Sequence, residues 1–167
     1  ETALSAGLAL AVLGLVAWGT GSAFIFPSLG PSAFVLAFAS ADERPSGYRV
    51  IGGHVVGAVA GIAAYTLLAS GTALTATPPA FSLSGLRLVA SALLSVVVTS
   101  WGMVASDTVH APACATTLIV SLGLLSTPPQ VGIIVASVFI LVEFHTAVLW
   151  VLAAVVGNTH PALSSPP

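Results

Sequence analysis

Charge is what this sequence has least of. Asp, Glu, Lys and Arg make up 5% of its 167 residues, against about 25% in an ordinary soluble domain. Three Lys+Arg and five Asp+Glu cannot cover a water-facing surface. The bilayer must therefore be the solvent, and the backbone must satisfy its own polar groups inside helices or a closed barrel. Cysteine is nearly absent too, and the single Cys114 excludes an internal disulfide. No CxxC, Walker-type loop or HExxH motif occurs. The net charge of −2 comes with no basic patch for nucleic acid. What the chain has in quantity is hydrophobicity, at 57% of residues with a mean hydropathy of +1.10.

Helices account for this better than a barrel. The apolar segments are continuous and rich in Ala, Leu, Val and Gly, whereas barrel strands run about 10 residues with alternating polarity. Residues 3–18 resemble a signal-peptide core, but the same pattern recurs along the whole chain, so a spanning helix is the better reading. The first residue is Glu rather than Met, which implies a trimmed or processed start. A crossing needs about 20 apolar residues. Four segments qualify, near 3–24, 50–68, 86–105 and 131–156. Residues 69–84, rich in Thr, Pro, Ser and Ala, read as an exposed link. The only charge cluster, 40–49, holds two arginines and is assigned to the cytoplasm by the positive-inside tendency. The tail from 158 to 167 is expected to fray.

Two shorter apolar segments, 31–41 and 112–125, break this uniformity. Each has a proline, Pro31 or Pro112, where a helix should begin. Proline suits the first helical position because its missing N–H has no partner there. Each segment therefore reads as a half-helix preceded by non-helical backbone. The order long, short, long occurs twice, with similar spacing from each proline to Gly52 or Gly132. This suggests one transmembrane domain of two internal repeats, about 1–70 and 85–157. Re-entrant half-helices would give four crossings. Half-helices that complete a crossing would give six, with both termini on the side of 40–49 and an inverted repeat.

The chemistry concentrates at the two breaks. A helix N-terminus carries unpaired N–H groups and about half a positive charge, so Ser28, Gly30 and Ser32 at one break, and His110 to Cys114 at the other, suit a small anion. Thr116 and Thr117 follow on the second half-helix and offer hydroxyls. Asp107 is a candidate partner for His110. His54 sits inside a span beside Gly53, Gly57 and Gly61, whose four-residue spacing permits close helix contact. An ionisable group at that depth usually faces a cavity or a partner. The same glycine-rich span is a candidate contact between copies of the chain. Glu143 and His145 lie two residues apart on different faces of the last span, and Glu143 is expected to pair with a polar group on a neighbouring helix or to be protonated. The four histidines fit no compact metal-ligand set. Arg49 is placed to attract anions at a mouth, against the adjacent Asp42 and Glu43.

Three runs carry a resemblance. Ser28-Leu29-Gly30-Pro31-Ser32-Ala33-Phe34-Val35-Leu36 is similar to the glycine-serine-rich first signature of the HPP family of membrane proteins. Arg49-Val50-Ile51-Gly52-Gly53-His54 resembles its Arg-x-x-x-Gly-His signature. His110-Ala111-Pro112-Ala113-Cys114-Ala115-Thr116 resembles the His-Pro-Pro-Ala-Gly-Ala-Thr run that names the family. Order and separation agree over residues 26–142. The chain departs at Ala111, in place of a proline, and at Cys114, in place of a glycine. The resemblance implies a small membrane protein, with some members linked to nitrite transport.

The resulting expectation is an all-α integral membrane protein, four long helices plus two half-helices. It is a channel or secondary transporter for a small inorganic anion, nitrite or an analogue, held by Ser28, Gly30, Ser32, His54, His110, Cys114, Thr116 and Thr117. Membrane lipid and further copies of the chain are the expected partners, the cell membrane the expected location, and no cofactor is called for. A His-dependent metal-binding protein or enzyme, or a non-transporting membrane subunit, are the alternatives. No nucleophile–base pair is visible, so an enzyme ranks lowest.

Overall fold

The computed structural model describes residues 2–156. The expectations for the tail and for His160 lie outside them. Within them the chain is all-helical: α1 Thr2–Thr20, α2 Leu29–Phe38, α3 Gly47–Ala64 running into one π-helical turn Tyr65–Ala69, α4 Leu83–Ala105, α5 Ala113–Ser121 and α6 Pro128–Val156. Four of these are long and apolar enough to cross a membrane. The other two, α2 with 10 residues and α5 with 9, reach only about 15 Å at 1.5 Å per residue, half of a hydrocarbon core of about 30 Å.

Local chemistry sets the boundaries. Ser46 accepts a hydrogen bond from the Arg49 N–H, and Ser82 from the Gly85 N–H. These caps start α3 and α4 three residues before the expected 50 and 86. At α6, Pro128 takes the first position and the Gln130 side chain accepts from the Thr127 N–H, half of a capping box. The half-helices also start differently from expectation. Leu29 opens α2, and Pro31 falls third, where a missing N–H still costs nothing. Pro112 is the N-cap of α5 rather than its first residue. Gly123 ends α5 with φ +77°, its N–H on Val120 O and the Leu124 N–H on Ile119 O, the Schellman pattern. The helix thus stops at Ser121 instead of 125.

Polar contacts fix how the passes run. Tyr48 donates to Ser106 O at 3.0 Å and Arg49 pairs with Asp107 at 3.0 Å, so the end of α4 meets the start of α3, beside loop 39–46. At the opposite end Arg87 donates to Leu68 O and Leu74 N–H to Leu122 O. Residues 106–122 therefore begin at the loop end and finish at the opposite end, a pass that is half irregular and half helical. The first half does the reverse. After Gly21 the chain doubles back, bringing Ile25 against Gly14, and α2 leads to the loop end. Helix α1 packs on α2 and α6, as α4 packs on α5 and α3; α3 packs on α5, as α6 packs on α2.

The glycine stripe of α3 is where α5 lies. A Cβ at Gly53 would stand 2.8 Å from Thr108 O; at Gly57, 2.7 Å from Thr117 Oγ1 and 2.8 Å from Ala113 O; at Gly61, 2.9 Å from Thr117 O. The stripe is thus filled within one chain, and it is not the surface open to another copy. The outward faces are apolar and meet lipid. Trp18, Trp101 and Trp150 all stand exposed toward the C-terminal parts of their helices, where an indole bridges hydrocarbon and headgroups.

The seam makes a stability prediction. Gly57→Ala puts a methyl against the Ala113 carbonyl and is expected to cost about 1–3 kcal/mol, as overpacking does. Gly132→Ala meets nothing within 4 Å and should change stability by about 0.5 kcal/mol or less. Thermal unfolding in detergent compares them; equal shifts would remove the close-packed seam.

Candidate functional site

Five of the eight candidate residues come together. Ser28, at the N-cap of α2, and Thr116, on the first turn of α5, share a hydrogen bond of 2.7 Å. His54 of α3 stands beside them, with Nδ1 2.7 Å from Thr116 Oγ1 and Nε2 2.9 Å from Ser32 Oγ. Ser32 Oγ is also 3.1 Å from His110 Nε2 and 3.1 Å from Ser28 O. The two imidazole rings lie 5.4 Å apart. Every member is buried, His110 the most open at 3%. The cluster is built by placing Gly53 under Thr108 and His110, which seats the next residue, His54, between the two breaks.

Donor counting fixes the protons. Ser32 has one hydroxyl proton and three partners, and a carbonyl only accepts. Ser32 therefore donates to Ser28 O, and both Nε2 atoms donate to Ser32. His54 then carries its proton on Nε2, so its Nδ1 accepts from Thr116, whose oxygen in turn accepts from Ser28. Every bond is satisfied with one proton on each hydroxyl and His54 neutral. His110 Nδ1 makes no hydrogen bond to the described residues.

The remaining candidates lie apart. Thr117 donates back to Ala113 O and bonds Thr99 of α4 at 2.9 Å. Cys114 is free and half-buried. Gly30 lines a cleft of about 380 Å³ with Leu10, Ile25, Phe26 and Pro27 at the start of α2. The backbone donors are mostly used: Ala113, Cys114 and Ala115 N–H turn to the carbonyls of His110, Ala111 and Pro112, and Leu29 and Ser32 N–H to Phe26 and Ser28. Pro31 has none. The direct donors at both breaks are thus side chains.

Several polar residues take roles that spacing did not reveal. Asp107 pairs with Arg49 rather than His110, and Arg49 is thereby no free anion attractor. Arg44 donates to Leu36 O and Ala39 O at the end of α2, where a cation also suits the helix dipole. Burial lowers its pKa from the ordinary guanidinium value through desolvation. Ser91 of α4 donates to Ser121 O at the end of α5. Glu143 faces outward with no partner among the described residues, contrary to the expected interior pairing. His145, two residues on, is buried on the other face, and its Nε2 has no hydrogen bond. Among the described residues no three of His, Cys, Asp and Glu converge on a metal-sized site.

The two buried histidines should respond oppositely to the same change. His54→Leu strands Thr116 and Ser32, at about 1–3 kcal/mol. His145→Leu removes an unpaired polar atom and should be neutral or stabilising. Melting temperatures of the two variants in one detergent decide it; a larger loss at His145 would refute the hydrogen-bond assignment.

A family model described as HPP, transmembrane region, matches residues 1–166. Neither a curated protein nor a solved structure matches the chain. The chain belongs to the HPP transmembrane family. The three runs quoted above are the ones that meet at the cluster, through Ser28 and Ser32, His54, and His110 and Thr116.

Proposed function

We propose that this HPP-family membrane protein is a channel or secondary transporter for a small inorganic anion, nitrite or a close analogue, which passes through the cluster joining α2 and α5. One observation carries the reading: three hydroxyls and two imidazoles are buried together with no carboxylate among them. Such a set offers protons to an acceptor and holds no negative charge to repel an anion. Helices α2 and α5 run in opposite directions and overlap at their N-terminal turns, so the positive ends of both dipoles bear on the same place. Paired broken passes of this kind hold the substrate near the midplane in many transporters. The charge-neutral donors suit a weakly held, quickly released monoanion.

Every hydroxyl proton in the cluster is already committed. An anion must therefore replace one of the internal bonds, and the bond from Ser32 to Ser28 O, which joins no second side chain, is the one it takes over. We read the two halves as an inverted repeat with six passes and both termini on the side of loop 39–46. We further read the chain as one transmembrane domain with no catalytic centre, assembling with copies of itself in the cell membrane.

Purified protein in liposomes under a nitrite gradient tests this. The protein should speed nitrite entry above the rate of protein-free liposomes. Ser32→Ala and His110→Ala should each slow it about tenfold, the equivalent of one hydrogen bond of about 1.4 kcal/mol. Glu143→Gln, outward on α6, should not. A protein that passes no nitrite, nitrate, formate or chloride would end the reading.

A further inference from the structure

We infer that the cluster is also a proton relay, so that the anion crosses together with a proton; the inference rests on the anion reading above and deepens it. The hydrogen bonds form one unbroken file, Ser28 to Thr116 to His54 to Ser32 to His110, with no separation above 3.1 Å. Imidazole is the side chain able to take a proton on one nitrogen and release another from the opposite one. His54 is bonded through both nitrogens, as a through-relay requires. The two ends of the file differ in surroundings. At one, His110 Nδ1 makes no hydrogen bond to the described residues, and His110 lies three residues from Asp107 at the loop end. At the other, Ser28 lies next to Pro27 and two residues from Gly30, both in the wall of the cleft at the start of α2.

Ser32 is the switch. Its distances to Ser28 O and to His110 Nε2 are both 3.1 Å, so its hydroxyl can turn from the first to the second once His110 changes tautomer and Nε2 becomes an acceptor. With its proton on Ser28 O the file is closed. With its proton toward His110 Nε2, and the His110 proton on Nδ1, the file conducts. A proton arriving at Ser28 Oγ then displaces the Ser28 proton to Thr116, and the Thr116 proton passes to His54 Nδ1. His54 gives its Nε2 proton to Ser32, Ser32 gives its own to His110 Nε2, and His110 releases the Nδ1 proton to the loop end. One proton enters, one leaves, and each atom gives as many as it receives. Rotation of the hydroxyls and tautomer exchange of the imidazoles reset the file. Passage in the other direction uses the same steps reversed.

Among the described residues, no other ionisable side chain bonds to a member of the file. Cys114 on α5 is free, Arg49 and Asp107 answer each other, and Arg44 is held at the far end of α2. The pH response of transport therefore reports His54 and His110.

The test measures both ions in the same proteoliposomes, nitrite chemically and protons with a trapped pH dye, with protein-free liposomes supplying the leak of nitrous acid to be subtracted. The expected result is one proton carried with each nitrite, and nitrite accumulation driven by an acid step outside. Thr116→Val deletes the hydroxyl between Ser28 and His54 and should lower proton flux at least tenfold, while Thr116→Ser retains it. Nitrite flux without protons would overturn the relay and leave the anion reading standing. Proton flux without nitrite would do the opposite, and neither flux would overturn both. A Thr116→Val protein that conducts protons at the original rate also refutes the relay. If that variant fails to fold, the ratio in the unaltered protein decides alone.

Discussion

Irregular backbone at membrane depth survives only where protein covers it, because hydrocarbon offers no hydrogen bonds. Two irregular stretches of this chain, 21–28 and 106–112, meet this constraint by burying alternate residues, Phe26 and Ser28 in the first and Thr108 and His110 in the second. For the second the cover is the glycine face of α3, and the rest of the site depends on that approach. Thr108 sits against Gly52 and Gly53, and Ala113 and Thr117 against Gly57. A side chain at any of these positions would lift the break off α3. His54, held between Gly53 and Gly57, would then lose its reach to Thr116. Packing and chemistry are one constraint here: small residues on one face of a helix set the distance at which its single histidine works.

The same economy governs the charges. The chain has three basic residues, Arg44, Arg49 and Arg87. Arg44 binds carbonyls at the end of α2, Arg87 binds Leu68 O and Ser70 O after α3, and Arg49 pairs with Asp107. All three serve helix ends, where backbone groups lack intrahelical partners. The centre is left to hydroxyls and imidazoles. Helix ends near water can carry a cation at low cost; the same cation at depth would have to be matched by a buried carboxylate.

The long helices and the two half-helices could be read from the sequence, since continuous hydrophobicity and a proline after non-helical residues have direct physical meanings. The half-helices start at Leu29 and Ala113 rather than at the prolines, because proline is tolerated anywhere in the first turn, so Pro31 marks a region and not a residue. Hydrophobicity alone starts α3, α4 and α6 too late, because the true starts are set by the caps Ser46, Ser82 and Thr127 with Gln130, which are polar and local. At the site, Ser28, Ser32, His54, His110 and Thr116 were legible as polar residues at or beside breaks in apolar runs. Their mutual contacts were not, since Ser28 and Thr116 stand 88 positions apart and only the antiparallel overlap of α2 and α5 unites them. The glycine stripe was recognised as a close-packing face, but periodicity cannot say whether the partner is a helix of the same chain or of another. Thr99 and Ser91 escaped because a hydroxyl on a spanning helix looks the same whether it bonds its own backbone or a neighbour.

The placement of the arginines has an electrical consequence. A unit charge moved across a membrane feels about 2.3 kcal/mol for every 100 mV. The described interior of this protein has no fixed charge on α2 or α5, the elements that would have to rearrange. Their rearrangement would thus carry no formal side-chain charge through the field, only the partial charges of the helix ends. Under the anion reading, any larger voltage dependence comes from the anion and its proton.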